Sequence, residues 1–231
     1  MSKNGPFVRS VFNFFYRTHF KNIEFLPLLW YNNTVDEVSA PLVLRKEPAM
    51  HDAYPDYEYK RITDITISDL YNMGAKAVAI DLDNTTVLDS TLHAPGGVKE
   101  WLQNVRAAGF PVIIISNTYP IRAWLLSKKF GNLPWISFAE KPNTSAFFKA
   151  AKMLNIDVED MVMIGDRLFK DVMGANKAGC ISVKVDPFEP EKLFAKKLRR
   201  ERKKEDEYLE KRRKERNGEN HRFGKKLERH K

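Results

Sequence analysis

Two aspartates one residue apart, Asp81 and Asp83, follow the apolar run Ala77-Val78-Ala79-Ile80 and precede the polar pair Asn84-Thr85. The run reads as a buried parallel strand and the polar pair as a tight loop. Two carboxylates crowded at a strand end repel each other unless a cation or a proton sits between them. The C-terminal edge of parallel strands is also where open α/β sheets bind their ligands. A bare Asp-x-Asp is common in surface turns, so the weight comes from three later segments. A second apolar run ends in Ser116-Asn117-Thr118, Lys141-Pro142 stands just before a helix start, and a further run ends in Gly165-Asp166 with Asp171 five residues on. In a parallel sheet all of these groups fall at one edge. Carboxylates supply hard oxygen ligands suited to Mg²⁺. A metal, a lysine and loop N–H groups together neutralise a phosphoryl group in transfer. One aspartate can attack phosphorus while a second moves the proton. The residue types and their order therefore point to Mg²⁺-dependent phosphoryl transfer.

These groups need a scaffold, and the chain between residues 61 and 190 alternates strand and helix. Strands are expected at 76–80, 111–115, 135–138, 161–164 and 181–185. Ser68 is placed to cap a short helix through Tyr71, ended by Gly74. Val98, Trp101, Leu102 and Val105 share one face of a helix over 98–108. Pro120 suits a helix start, and that helix runs to about Phe130. Asn143 opens a helix carrying Ala146, Phe147, Ala150 and Ala151, and another is expected from Phe169 to Lys177, closed by Gly179. Strands separated by helices imply an α/β fold with a parallel sheet and right-handed crossovers.

Composition bounds the flanks. A chain of 231 residues with 43% hydrophobic content can bury one good core. The single cysteine, Cys180, excludes an internal disulfide framework and fits a reducing compartment. No stretch reaches the roughly 18 consecutive apolar residues that read as a membrane span. No signal peptide is recognisable. The expected location is cytoplasmic, either soluble or peripheral to a membrane. The net charge of +9 belongs to the tail: residues 191–231 hold 18 of the 39 basic and 9 of the 30 acidic residues, so the rest is balanced at 21 of each. The tail is expected to form a charged, solvated helix at least to about Arg216, fraying after Asn217-Gly218. Its functional alternative is attraction to a polyanion, either anionic lipid head groups or RNA. Few aromatics interrupt it, so nucleic acid is the less favoured partner. Residues 6–31 mix aromatic residues with Arg9, Arg17, His19 and Lys21. That pattern suits an interfacial anchor or a segment docked on the core.

The four segments resemble motifs I to IV of the haloacid dehalogenase-like superfamily. Asp81-Leu82-Asp83-Asn84-Thr85 corresponds to motif I, Ser116 to motif II, Lys141 to motif III, and Gly165-Asp166 through Asp171 to motif IV. The resemblance covers about residues 75–186 and is strongest to the capless subfamily IIIA phosphatases of the YqeG type, which have phosphatidylglycerophosphate phosphatases among their relatives. It implies a three-layer Rossmannoid fold, with a nucleophilic Asp81 that forms an aspartyl-phosphate. Asp83 would be the general acid/base and lend its backbone carbonyl to Mg²⁺. Ser116, Asn117 and Lys141 would contact the phosphoryl group, and Asp166 and Asp171 would complete the metal set. About 30 residues separate Asp83 from Ser116 and about 25 separate Ser116 from Lys141, leaving no room for a sizeable cap. An open site suits a phosphate carried on something large. The expected organisation is an N-terminal extension (1–60), the phosphatase core (61–190) and a basic tail (191–231). The favoured substrate is a membrane-borne phosphate such as phosphatidylglycerophosphate, with an anionic membrane surface as partner. The alternatives are a protein or nucleic-acid phosphate, or a non-catalytic RNA- or ribosome-binding module.

Overall fold

The computed structural model describes residues 53–190 and 195–228, with side chains in the last helix as far as 216. The aromatic and basic segment at 6–31 lies outside the described residues. Six strands form one parallel sheet: β1 (Tyr57–Tyr59), β2 (Ala77–Ile80), β3 (Val112–Ile115), β4 (Trp135–Ile136), β5 (Met161–Gly165) and β6 (Ile181–Val185), in the order β1-β6-β5-β2-β3-β4. The helices are α1 (Ile67–Asn72), α2 (Val98–Ala107), α3 (Pro120–Lys129), α4 (Ser145–Leu154), α5 (Met173–Ala178) and α6 (Lys196–Glu228).

The three central strands β3, β2 and β5 are buried along their whole length, as parallel strands covered on both faces must be. Strand alternation sorts their side chains into two layers. Val78, Ile80, Val112, Ile114, Val162 and Ile164 pack with Trp101, Leu102 and Val105 of α2 and Leu126 of α3. Ala79, Ile113, Ile115, Met161 and Met163 pack with Ala146, Phe147 and Ala150 of α4 and Ala175 and Ala178 of α5. The result is the expected three-layer α/β sandwich. Between Asp83 and Ser116 there is one helix, α2, and between Ser116 and Lys141 only α3 and the two-residue β4.

The structure departs from the sequence expectations at particular points. The cap of α1 is Thr66, not Ser68: its hydroxyl accepts from Asp69 N at 3.1 Å while the Asp69 carboxylate accepts from Thr66 N at 2.8 Å. The strand expected over 135–138 stops at Ile136, because Phe138 adopts φ 47. The helix expected from Phe169 opens instead as a π-turn at Leu168–Val172 before α5 begins. Strand β1 gave no alternating apolar signal in Tyr-Glu-Tyr, and it pairs Tyr57 with Val183 at the sheet edge. Helix α6 continues through Asn217-Gly218, where fraying was expected. One of its faces is not solvated: Leu209 and Glu205 are buried, Leu209 joins Leu168, Val172 and Ala53 in a small cluster, and Tyr208 meets Phe169 edge to face.

Phe147 of α4 is fully buried, and its ring edge would lie 2.8 Å from a Cβ placed on Gly174 of α5. That glycine allows the close approach of the two helices. Phe147→Ala leaves a void that the surrounding backbone cannot fill. Urea denaturation is expected to show a loss of about 3–5 kcal/mol.

Candidate active site

Motif I folds as a loop that curls back on its own strand. Asp81 still belongs to the sheet, its N–H donating to Ile164 O at 3.0 Å. Thr85, Thr86 and Val87 then all donate backbone N–H groups to Leu82 O, and the Thr86 hydroxyl donates to Asp81 O at 3.0 Å. Asn84 takes a left-handed conformation (φ 56), which asparagine tolerates better than most residues. This winding leaves the Asp81 side chain at the strand edge and turns Asp83 outward.

Asp81, Asp166 and Asp171 come together. Each offers a carboxylate oxygen, and these oxygens lie within 4.8 Å of one another; all three residues are buried. Lys141 sits among them with Nζ 2.8 Å from Asp81 Oδ1, 2.6 Å from Asp171 Oδ1 and 2.8 Å from Ile115 O, to which it donates. Burial alone would lower the lysine pKa, but the charges of Asp171 and Asp81 outweigh it and leave it raised. Asp166 and Asp171 are raised as well, which disfavours their charged forms. Burial pushes Asp166 up to about 7, against the pull of Arg202, with Asp171 and Asp81 adding to the rise. Burial pushes Asp171 up to about 6, against the pull of Lys141.

The remaining residues hold these in place. Asn117, expected to touch substrate, lines the cavity and also grips the lysine backbone: Lys141 N donates to its Oδ1 at 2.9 Å and its Nδ2 donates to Lys141 O at 3.3 Å. Ser116 is buried at the end of β3 with its hydroxyl accepting weakly from Thr118 N at 3.4 Å. The Thr85 hydroxyl donates to Asp166 Oδ1 at 3.3 Å. Arg167 N donates to Asp171 Oδ2 at 3.0 Å, a contact the π-turn makes reachable. Asp83, expected beside the others, is absent from the carboxylate cluster. Arg122 of α3 holds it from both nitrogens, at 2.8 and 2.6 Å, and Ser90 N adds a third bond at 2.8 Å. His93 is exposed.

Three residues in this arrangement were not singled out from the sequence as site residues: Thr85, Arg122 and Arg202. Thr85 lay inside the motif I box, where its adjacency was the available signal. Arg122 and Arg202 carried none, being one helical arginine among several and one tail arginine among many. Arg202 of α6 donates from Nη1 to Asp166 O at 2.6 Å and pairs through Nη2 with Asp166 Oδ2. Arg167 pairs with Glu205 and Glu201 of the same helix, and Glu205 also accepts from Phe169 N at 3.2 Å. Arg202, Arg167 and Leu198 wall a cavity of about 200 Å³ that is also lined by Asp81, Ser116, Lys141, Asp166 and Asp171. A larger open depression of about 620 Å³ lies at the opposite, N-terminal edge of the strands beside Tyr57 and Ile181, far from these groups.

The chemistry of the donor set fits a divalent cation. Three clustered carboxylates are hard oxygen ligands. The buried Asp171 Oδ1 has Lys141 as an ion-pair neighbour but accepts no aligned hydrogen bond, so that oxygen remains suited to a metal.

Comparison with known proteins gives the family. A family model for haloacid dehalogenase-like hydrolases matches residues 89–179. The chain is 36% identical over 133 residues to the "Probable phosphatase YqeG" of Bacillus subtilis (strain 168), spanning 58% of this chain and 77% of that one. The chain belongs to the haloacid dehalogenase-like hydrolases, as a phosphatase of the YqeG type. It is also 29% identical over 99 residues to a "Glyceraldehyde 3-phosphate phosphatase" of Methanopyrus kandleri, although that match spans only 40% of the relative. The solved structure of a HAD-superfamily hydrolase from Ehrlichia chaffeensis aligns with a TM-score of 0.43 and 17% identity over 50% of this chain and 91% of that one. In this YqeG-type phosphatase residues of the four expected segments line one cavity.

Two outcomes follow for the haloacid dehalogenase-like site. A Cβ on Gly165 would stand 2.3 Å from the Asp171 carboxylate, so Gly165→Ala must expel that side chain. Divalent-cation affinity measured by calorimetry is expected to fall by about 10–100-fold. The second concerns pH. The folded protein raises the Asp166 pKa from 3.8 to about 7, so the metal-free native state binds the extra proton. Its contribution to stability is complete below 3.8 and lost as the pH rises through about 7. The thermal midpoint of chelator-treated protein should decline across that window, and a divalent cation should reduce the decline.

Proposed function

We propose that the chain is a Mg²⁺-dependent phosphomonoester hydrolase working through an aspartyl-phosphate on Asp81. The observation that carries this reading is the buried cluster of Asp81, Asp166 and Asp171 with Lys141 ion-paired to two of them. An Asp81 oxygen attacks phosphorus as the ester P–O bond breaks, and the departing alkoxide takes a proton from Asp83. Water then attacks the phosphoaspartate while Asp83 recovers the proton, releasing phosphate and restoring Asp81. Lys141 and the Ser116 hydroxyl bind the phosphoryl oxygens. Asp81, Asp166, Asp171 and the Asp83 carbonyl would hold the metal, which when bound neutralises charge on the phosphoryl group. For the proton step Asp83 exchanges its contact with Arg122 for the leaving group.

The substrate we infer is a phosphate on a large or membrane-borne molecule, such as phosphatidylglycerophosphate. Two features support this. One is the shortness of the segments between the motifs, which leaves the site uncapped. The other is the outer face of α6, where Lys197, Arg200, Lys203, Lys204, Lys211 and Lys214 are exposed on the helix that walls the cavity. Among the described residues no helix is long and apolar enough to cross a membrane, so contact with a lipid would be peripheral. The second reading is a small phosphorylated metabolite, favoured by relatives named for glyceraldehyde 3-phosphate and phosphoglycolate.

The test is phosphate release from phosphatidylglycerophosphate in mixed micelles, with and without Mg²⁺. Glyceraldehyde 3-phosphate, phosphoglycolate, a phosphopeptide, a phosphorylated oligonucleotide and an aryl phosphate run in parallel. Metal-dependent turnover favouring the lipid, and a loss of at least about 10³-fold in Asp81→Asn, is the expected result. Preference for either small metabolite shifts the substrate to the second reading, and retained turnover in Asp81→Asn removes the nucleophile assignment.

A further inference from the structure

We propose that Arg202 makes the tail helix a working part of the site: its charge lowers metal affinity and raises affinity for the substrate phosphate. This inference rests on the proposed phosphatase reading. The guanidinium brings α6 into contact with the carboxylate cluster, gripping both the Asp166 carboxylate and its backbone carbonyl. It is held there by the wider clamp of Arg167 on Glu205 and Glu201, and by Glu205 on Arg202 itself. The Arg202 side chain is 11% exposed and lines the cavity, so its charge acts at short range with little solvent screening.

The charge count gives the direction. Three carboxylates with Lys141 as the sole cation would leave two negative charges, which a divalent ion would just cancel. Such a site would hold its metal tightly and offer little net attraction to a phosphate dianion. The surrounding charges, Asp83 with Arg122, Arg167 with Glu205 and Glu201, and Lys170 and Asp89 at the cavity wall, are the same with or without Arg202, so they do not change the direction. Adding Arg202 makes the site one unit more positive, both empty and loaded. The cost falls on the metal, which must share Asp166 with a cation already in contact with it. The gain falls on the phosphate, drawn to the extra positive charge. Arg202 is thus a positioning and charge-setting residue, one that acts through Asp166 and through the field in the cavity.

Opposite shifts in two affinities are a signature that unfolding does not produce, since unfolding weakens both, and undocking of α6 is checked by a variant elsewhere on that helix. The experiment is calorimetry on the full chain. Mg²⁺ alone is titrated first, and inorganic phosphate is then titrated into the Mg²⁺-saturated protein, so neither measurement requires turnover. Arg202→Ala is expected to bind Mg²⁺ at least about threefold more tightly and phosphate at least about threefold more weakly. Arg202→Lys, which keeps the charge but not the forked contact, should fall closer to the unaltered protein in both. Arg213→Ala removes the contact of α6 with Glu58, away from the cluster, and should leave both affinities within about twofold. If Arg202→Ala weakens Mg²⁺ binding, Arg202 merely orients a ligand and the proposal fails. It fails equally if phosphate affinity is unchanged, or if Arg213→Ala reproduces the Arg202→Ala shifts. Absence of catalytic turnover with these affinity shifts intact would count against the phosphatase reading alone.

Discussion

Three carboxylates buried within a few ångströms of one another are the constraint around which this structure is built. Asp81, Asp166 and Asp171 repel each other in a place where water cannot screen them. The fold answers with cations brought from elsewhere: Lys141 between two of them and Arg202 on the third. Neighbouring backbone and hydroxyl groups complete the balance through Arg167 N and the Thr85 hydroxyl. The residual negative charge, held on hard oxygen donors, is what suits the site to a divalent cation and to phosphoryl chemistry.

The sheet makes that crowding possible. β2 and β5 are adjacent and in register, with Ala79 beside Met163 and Ile80 beside Ile164, so the residues that follow them emerge side by side. β3 on the other flank delivers Ser116 to the same edge. A register slip in the central strands would exchange the contents of the two layers. The rigidity of the site is therefore that of the core beneath it. Gly165 marks where core and site meet, since only a residue without Cβ lets Asp171 lie against the end of β5.

The tail is tied into the same electrostatics. Its basic composition reads as solvated, yet one stripe of α6 carries Leu198, Arg202, Glu205 and Leu209 against the motif IV loop. The buried Glu205 receives Arg167, Arg202 and the Phe169 N–H, so its charge is compensated on three sides. The lysines of α6 described between 196 and 214 are exposed. A helix that is polar all round by average composition can thus be two-faced when its few apolar and acidic residues fall at helical spacing.

The sequence determined the type and order of the chemistry-bearing residues, the strands that end in them, the balanced core with its basic tail, and the lack of space for a cap. These are properties of neighbours along the chain, legible through periods of two and 3.6 residues and through turn-forming types. Only the tertiary structure decided which charges meet. It turned Asp83 towards Arg122, used Asn117 to hold the Lys141 backbone, added β1 at the sheet edge and brought Arg202 onto Asp166. The reason is physical: a long-range ion pair depends on where two rigid elements dock, and an arginine 36 residues from its partner carries no local mark of that destination.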